Sequence, residues 1–170
     1  TNDEITDHDW NKILESNNAK SREELEDIKD LRLNSDRSED ICILVKIINK
    51  GILSKVQNLQ FFGKYKINSE DVKFLAKEIE TGKLPNLQGL DFGSNDIDSE
   101  GIKALFNAIN NDKLTSLFLY GNKIDSVGAI ALANAINCGK LTNLQRLEFG
   151  RNKIDSKGAI ALADAINSGK

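Results

Sequence analysis

The side chains that most often do chemistry in enzymes are few and scattered in this chain. The single histidine, His8, stands near the N-terminus, and the two cysteines, Cys42 and Cys138, are far from each other and from it. Catalytic triads and zinc sites both need several such side chains together. Gly-Lys pairs begin at Gly63 and Gly82, among others, but none completes the phosphate-binding pattern GxxxxGK[ST]. The sequence therefore predicts no metal ion, no cofactor and no nucleophilic catalysis.

One pair of carboxylates remains as a candidate for general acid–base chemistry. Asp91 and Glu148 hold equivalent positions in two short apolar segments, "LDF" and "LEF". If both segments are strands of one sheet, two strand spacings of about 4.8 Å place the two backbones about 10 Å apart, with Phe118 between them. Solvated surface carboxylates explain this pattern better than a catalytic pair, so we expect that the chain is not an enzyme.

The elements that hold these residues repeat along the chain. Asn95, Asn122 and Asn152 each follow a short apolar alternation and precede Ile-Asp-Ser and a Gly-containing apolar stretch, and they are 27 and 30 residues apart. Such spacing is typical of solenoid proteins. A serine at the start of each predicted helix marks five units, and these serines are Ser38, Ser69, Ser99, Ser126 and Ser156.

Each unit combines a strand signal with a helix signal. The alternation in Leu117-Phe-Leu119 predicts a short strand, and the stripe from Gly128 to Ile136 places small and apolar residues on one helix face. Short links between strand, helix and next strand favour parallel strands joined by right-handed crossovers. Helices are wider than strands, so the stack should curve. We expect an α/β right-handed curved solenoid with parallel strands on the concave face and helices on the convex face.

Three segments carry the repeat most clearly, and they read "LQGLDFGSNDIDSEGIKALFNAI", "LTSLFLYGNKIDSVGAIALANAI" and "LQRLEFGRNKIDSKGAIALADAI". This pattern resembles the ribonuclease-inhibitor subfamily of leucine-rich repeats from Leu87 to Ile166. The two earlier units depart from it. Asp36 and Tyr65 stand near the asparagine position, and Asp40 and Asp71 replace the helix glycine. We expect the backbone turns of these two units to differ from the others.

The recurring asparagine and glycine predict specific contacts. The asparagine amide should satisfy backbone groups that the sharp turn after each strand leaves unpaired. Glycine costs about 1 kcal/mol relative to alanine inside a helix, so Gly101, Gly128 and Gly158 need a packing reason, which we expect to be close approach of helix to strand layer.

The N-terminal segment has a different pattern. Thr6 and Asp9 resemble a capping box ahead of Trp10, which predicts an amphipathic helix that covers the first repeat. We interpret residues 1–27 as a helical cap anchored by Trp10, and residues 28–170 as the repeat domain of about five units. An alternative is that this acid-rich segment docks onto a partner.

The strand residues that point away from the core form the predicted binding surface. On the concave face the alignment places three rows of side chains that vary while the core repeats. The middle row is Arg32, Gln60, Asp91, Phe118 and Glu148, one flanking row is Asp30, Asn58, Gly89, Ser116 and Arg146, and the other is Asn34, Phe62, Gly93, Tyr120 and Gly150. Aromatic residues and arginine dominate protein-binding hot spots, although scattered surface aromatics are also common. The predicted partner-binding residues are Phe62, Asp91, Phe118, Tyr120, Arg146 and Glu148. Among them, Phe62, Phe118 and Tyr120 are expected to form an aromatic cluster that faces the solvent.

The function that follows is a non-enzymatic protein-interaction module. Its expected partner is a protein, and no nucleic acid or membrane, because the chain has no basic stripe with aromatics and no apolar run of bilayer length. The lack of a disulfide framework favours a cytoplasmic location. The last unit looks like an interior repeat, so either further repeats follow it or this edge self-associates.

The resemblance implies several roles. Similar proteins include cytosolic inhibitors, sensing arms of innate-immune receptors and bacterial effectors that act in the host cytosol. Regulators of the GTPase-activating type in the Ran system use the same repeat, and Arg151 is the residue available here for that role. A targeting arm of a larger enzyme is a third alternative.

Overall fold

The computed structural model describes residues 4–110 and 113–168. Two short helices precede five strand–helix units, and the outermost residues of the two predicted domains, 1–3 and 169–170, lie outside the described part. The elements are α1 (Asp7–Ser16), α2 (Arg22–Glu26), β1 (Asp30–Asn34), α3 (Glu39–Asn49), β2 (Asn58–Phe62), α4 (Ser69–Glu80), β3 (Gly89–Asp91), α5 (Ser99–Ala108), β4 (Ser116–Phe118), α6 (Ser126–Asn137), β5 (Arg146–Glu148) and α7 (Ser156–Asn167).

The five strands form one parallel sheet in sequence order, β1-β2-β3-β4-β5. Successive leucines align across it, from Leu31 through Leu59, Leu90 and Leu117 to Leu147. Because each strand pairs with the strand of the next unit, the helices must cross over on one side of the sheet. The predicted α/β solenoid is therefore confirmed.

The core lies between the sheet and the helices. The strand leucines from Leu31 to Leu117 are at most 1 % exposed. The apolar residue two positions later is at most 3 % exposed in the first four units, where it is Leu33, Phe61, Phe92 and Leu119. Phe61 and Phe92 occupy that position in neighbouring units and stack with ring centroids 4.7 Å apart. This interior stack fixes the spacing of adjacent repeats.

The repeated asparagine links one unit to the next, as the sequence predicted. The Asn122 side-chain oxygen accepts a hydrogen bond from the Ile97 backbone N–H at 3.0 Å, and its amide donates to the Phe92 and Leu119 carbonyls at 2.9 and 3.1 Å. Asn122 is 7 % exposed. An unpaired buried backbone group costs about 1–3 kcal/mol, so this side chain holds the turn closed.

A second ladder joins the helix N-termini. Asp98 caps α5 by accepting from the Gly101 N–H, and its carboxylate also accepts from the Ser69 hydroxyl of the preceding unit at 2.5 Å. Equivalent bonds connect Ser99 with Asp125 and Ser126 with Asp155. The hydrogen bond from Ser69, with the two backbone N–H groups, lowers the pKa of Asp98 despite partial burial. The ladder therefore favours charged aspartates.

The expected reason for the helix glycines was wrong. A Cβ on Gly101 would lie 2.8 Å from Ser69 Oγ and 2.9 Å from its Cα, so the close approach is to the start of the preceding helix and not to the strand layer. Gly128 and Gly158 face Ser99 and Ser126 similarly, and they also approach an isoleucine of their own unit, where a Cβ would lie 2.4 Å from Ile124 Cγ2 and 2.9 Å from Ile154 Cγ2. Glycine is needed because the serine of the aspartate–serine ladder occupies the space of its side chain.

The first two units turn differently, as expected from their residues. Asp71 accepts from the Asn68 N–H and from the Tyr65 hydroxyl, which completes a capping box at α4. Burial opposes the charge of Asp40, but hydrogen bonds from Lys12 and two backbone N–H groups outweigh it and lower its pKa. Ser38 occupies the N-cap position of α3, whereas the four later serines are the first helical residues behind an Asn or Asp cap, so the serine series is uniform only in the four later units.

The N-terminal helices lie beside the first strand. Thr6 and Asp9 form the predicted capping box of α1, and Trp10 is 5 % exposed beneath the Arg22 guanidinium, 4.6 Å from its ring centroid. Asn17 binds both backbone groups of Arg32 on β1, donating to its carbonyl and accepting from its N–H. The division into a cap and a repeat domain stays a prediction.

Candidate functional site

The concave face of the sheet carries a shallow depression of about 280 Å³ that reaches from β1 to β5. Its walls combine arginines from the first and last strands with carboxylates and one aromatic ring. The residues that matter for its chemistry are Asp30, Arg32, Asp91, Ser116, Phe118 and Arg146. A surface of this composition can accept both an apolar side chain and polar groups of either charge from a protein partner.

Gly89 creates the centre of this depression. A Cβ built there would lie 2.2 Å from Asn58 Oδ1 and 2.9 Å from Ser116 Oγ. Asn58 in turn donates its amide to Asp30 at 2.6 Å, which holds the asparagine side chain over the glycine. The depression therefore depends on the smallest residue standing between two polar neighbours of its row.

Three of the predicted binding residues border this depression. Phe118 on β4 is half-buried, and Arg146 on the neighbouring strand β5 is exposed. Asp91 lies on the other side of Phe118, on β3. Asp91 Oδ1 accepts a hydrogen bond from the Gly93 N–H at 2.9 Å. That carboxylate therefore shapes the turn after β3 as well as facing the concave surface.

Tyr120 stands apart from the depression and pairs with Arg151. The Arg151 guanidinium lies 5.3 Å from the centroid of the Tyr120 ring, and the ring also covers Gly150, where a Cβ would be 3.4 Å away. Arg151 adopts φ +50°, and Ser94 and Gly121 take the same left-handed conformation at the equivalent position of the two preceding units, with φ +58° and +68°. The turn is therefore a feature of the repeat.

The other two predicted residues do not join these groups. Phe62 is 47 % exposed at the end of β2, two strands away from β4, so the three aromatics do not form the single cluster that the sequence suggested. Glu148 is exposed on β5. The register places Phe118 directly between Asp91 and Glu148, which agrees with the separation expected for two surface carboxylates.

The remaining reactive side chains do not converge. In the described part of the chain no group of three or more His, Cys, Asp or Glu side chains could hold a metal ion. His8 is exposed on α1, and Cys42 and Cys138 are exposed free thiols. Among the same residues no helix has the length and apolar character required to cross a bilayer.

The sequence analysis did not select every residue that shapes the surface. Gly89 and Ser116 appear in the predicted rows, but their importance follows from the register that places them beside Asn58. The available signal was a lone glycine in a row of polar residues. Arg151 was considered only for a catalytic-regulator role, and its contact with Tyr120 could not be read from sequence spacing.

Comparison with known families finds three matches to the family described as Leucine Rich repeat, at residues 83–106, 110–133 and 140–163. The chain contains leucine-rich repeats. These matches cover the three clearest units, and the ribonuclease-inhibitor subfamily stays a prediction. Comparison with curated protein sequences finds no match.

Solved structures with the same fold match nearly the whole chain. The leucine-rich chain is similar to actin-binding site 2 of leiomodin-1, with 15 % sequence identity and a TM-score of 0.59 over 98 % of this chain and 90 % of that one. It is also similar to a tropomodulin C-terminal domain from Caenorhabditis elegans, with 16 % identity and a TM-score of 0.60 over 96 % and 93 % of the two chains. Identities this low establish a shared fold alone.

Proposed function

We propose that this leucine-rich chain is a non-enzymatic module that binds a protein partner through its concave face. The observation that carries the proposal is the depression at Gly89, where Phe118 offers apolar contact beside the charged residues of the outer strands. Aromatic and arginine side chains in a partly closed surface are typical of binding hot spots. The second contact point is the Tyr120 and Arg151 pair.

The residues proposed to contact the partner are Phe62, Asp91, Phe118, Tyr120, Arg146 and Glu148. Their different exposures suggest different contributions. Phe118 and Tyr120 are half-buried, and the Tyr120 ring also lies against Arg151, so less side-chain entropy should be lost on binding than for fully exposed residues. Phe62, Arg146 and Glu148 are exposed and should act at the rim, where charges mainly affect the association rate.

The proposal places the module in the cytoplasm, or in a host cytosol if it is a delivered effector. Its support is the pair of exposed free thiols, Cys42 and Cys138, which persist in a reducing compartment. The alternative role as a GTPase-activating regulator has weaker support because the Arg151 guanidinium lies over the Tyr120 ring and does not project freely.

A binding experiment with matched variants tests the proposal. Phe118→Ala/Tyr120→Ala is compared with Phe74→Ala, which removes a 53 % exposed aromatic from helix α4 on the convex side. Partners captured from lysate by the wild-type chain are identified and their affinities measured. Purified actin is included, since the leiomodin-1 relative is an actin-binding site.

We expect the double variant to bind at least about tenfold more weakly, which corresponds to about 1.4 kcal/mol, while Phe74→Ala binds as wild type. Thermal melting of all three proteins shows whether each remains folded. Unchanged affinity of a folded double variant would contradict the proposal. Accelerated GTP hydrolysis by a panel of small GTPases, lost in Arg151→Ala, would favour the regulator alternative.

A further inference from the structure

The floor of the depression at Gly89 contains a buried hydroxyl group without a partner. Ser116 is 4 % exposed, and its Oγ lies 2.9 Å from the position that a Cβ on Gly89 would take. Within the described part of the chain this hydroxyl makes no hydrogen bond. Because an unpaired buried polar group destabilises a protein, the Ser116 hydroxyl is available to a polar group that enters the depression.

The Asn58 side chain turns its oxygen toward the same point from the opposite side. Its amide donates to the Asp30 carboxylate at 2.6 Å, and since an ionised carboxylate only accepts, the atom beside Asp30 is the nitrogen. The Asn58 oxygen therefore faces Gly89, 2.2 Å from the position of the missing Cβ, and no described donor binds it. Strand order places Asn58 on β2 and Ser116 on β4, so two acceptor oxygens flank Gly89.

Carboxylates and an aromatic ring surround these oxygens. Asp30 and Asp91 line the depression on β1 and β3. Asp91 Oδ1 accepts from the Gly93 N–H, and Oδ2 has no partner among the described residues. Phe118, beside Asp91 on β4, is half-buried and lines the same space. Acceptor oxygens, negative charge and an aromatic ring together favour a positively charged donor.

A lysine side chain matches these groups. Its ammonium has three donors and no acceptor, and its apolar stem can pack on the Phe118 ring while the charge reaches the floor. The depression of about 280 Å³ has room for one such side chain, because Gly89 leaves the centre of the row empty. No described lysine lines the depression, so the ammonium has to come from another molecule.

Two arginines restrict which lysine-containing segments fit. Arg32 and Arg146 line the depression on β1 and β5, each two strands from Gly89, or about 10 Å by strand spacing. Neither forms an ion pair with a described residue. An extended segment that crosses the strands covers this distance in about three residues. Acidic residues three positions before and after the lysine would therefore meet the arginines, whereas a polybasic segment would be repelled.

We propose that the depression at Gly89 binds one lysine side chain of a protein partner, presented by an extended segment with an acidic residue on each side of the lysine. The inference rests on the proposed function, because it names the group that the concave face recognises. Ser116 and Asn58 accept hydrogen bonds from the ammonium. Asp91 supplies the compensating charge, and Phe118 packs against the stem.

Synthetic peptides with blocked termini test this assignment. The probe has the sequence GEGGKGGEG. A first control peptide carries Nε-acetyl-lysine in place of the lysine, which removes the charge and keeps the stem. A second control exchanges the charges and has the sequence GKGGEGGKG. Titrations of the isotope-labelled chain, followed by NMR chemical shifts of the backbone amides, measure the affinity of each peptide and locate where it binds.

Two variants of the chain each remove one feature of the site. Asp91→Asn removes the charge but keeps an acceptor for the Gly93 N–H, and Ser116→Ala removes the hydroxyl without adding volume. Glu80→Gln, at the exposed end of α4, is the matched control for the loss of one carboxylate. Thermal melting shows whether each variant is folded.

We expect the lysine peptide to shift the amides of Gly89, Asp91 and Ser116 and to saturate them at millimolar concentration. Both control peptides should bind at least about tenfold more weakly. Asp91→Asn should weaken binding of the lysine peptide about tenfold and Ser116→Ala about threefold. The Glu80→Gln chain should bind it as the wild type does.

The lysine site and the proposed function can fail separately. An absence of saturable shifts at Gly89, Asp91 and Ser116 overturns the lysine site, and so does equal binding of the acetylated peptide. Neither result contradicts binding of a protein partner by the concave face through other groups. That proposal fails when a folded Phe118→Ala/Tyr120→Ala variant keeps its affinity for the captured partner.

Discussion

The first and last units of this solenoid differ in how far the described residues cover their outer faces. At the N-terminal end, α1 covers the first unit with Trp10 and Ile13, which are at most 5 % exposed, and Asn17 occupies the free edge of β1. At the C-terminal end, no side chain of the described residues takes the place of Asn17 at β5, and Ile160 and Ile166 are more than half exposed. Among the described residues, only those at the N-terminal end of the sheet form a specialised covering of the outermost unit.

The comparison of the last two units shows that burial is decided by neighbours. The segments "NKIDSVGAIALANAIN" and "NKIDSKGAIALADAIN" differ at two positions, yet Leu132 is fully buried and Leu162 is only half-buried. Both leucines occupy the same place in their helices. The difference arises because α6 has α7 beside it, whereas no described helix packs on the other side of α7.

The largest expected effect is on the free energy of unfolding when these two leucines are replaced. Leu132→Ala should lower it by about 3 kcal/mol, within the range for fully buried leucines. Leu162→Ala should lower it by about half as much at concentrations where the chain is monomeric. Urea denaturation followed by circular dichroism measures both. Equal losses in dilute solution would show that the face of α7 is already covered.

A smaller effect is expected at the closed end. Asn17→Ala removes the two hydrogen bonds to Arg32 and one to the Ile13 carbonyl, in a partly exposed setting. The free energy of unfolding should fall by about 1 kcal/mol, and the Arg32 amide should exchange its hydrogen faster. Asn11→Ala on the exposed side of α1 is the matched control. Unaltered exchange at Arg32 would argue against a specific role of Asn17 at this edge.

The smallest expected effect is the pH dependence of the aspartate–serine ladder. The hydrogen bond from Ser69 lowers the folded-state pKa of Asp98, and that from Ser126 lowers the pKa of Asp155 at the exposed last unit. Since a lowered folded pKa stabilises the fold above the unfolded value of about 3.9, this stabilisation is lost as the pH falls through the folded pKa.

Unfolding free energies at pH 7 and pH 3 measure this dependence in the wild type, Asp98→Asn and Asp155→Asn. Asparagine keeps the helix cap but does not titrate. Asp98→Asn should therefore lose less stability on acidification than the wild type does, and Asp155→Asn should change this loss less. An identical loss in Asp98→Asn and the wild type would show that other carboxylates control acid stability.

Much of the fold could be predicted because local patterns recur along the chain, the strand alternation in five units and the asparagine and Asp-Ser pair in three. The alternating leucines, the asparagines and the Asp-Ser pairs each point to one local structure, and the register of the sheet agrees with the predicted rows from Asp30 to Arg146 and from Arg32 to Glu148. The packing reason for Gly101 was wrong because the serine that it faces belongs to another unit.

Less of the candidate binding surface could be predicted from these local patterns. The aromatics were expected together because they share a face, but Phe62 lies two strands away from the strand of Phe118, and Tyr120 is engaged by Arg151. Side-chain contacts across the sheet depend on the size of residues in neighbouring units. The depression at Gly89 is an example, since it arises from Asn58 and Ser116 on either side.

The amino-acid sequence alone determined the repeat, the parallel order of the strands and the position of each helix start, because these follow from periodicity and capping within a single unit. The tertiary structure alone decided which apolar residues are covered. Burial is a property of two adjacent units, so Leu132 and Leu162 have the same sequence surroundings and different exposures. For the same reason, only the assembled sheet showed that Asn17 closes the outer edge of β1.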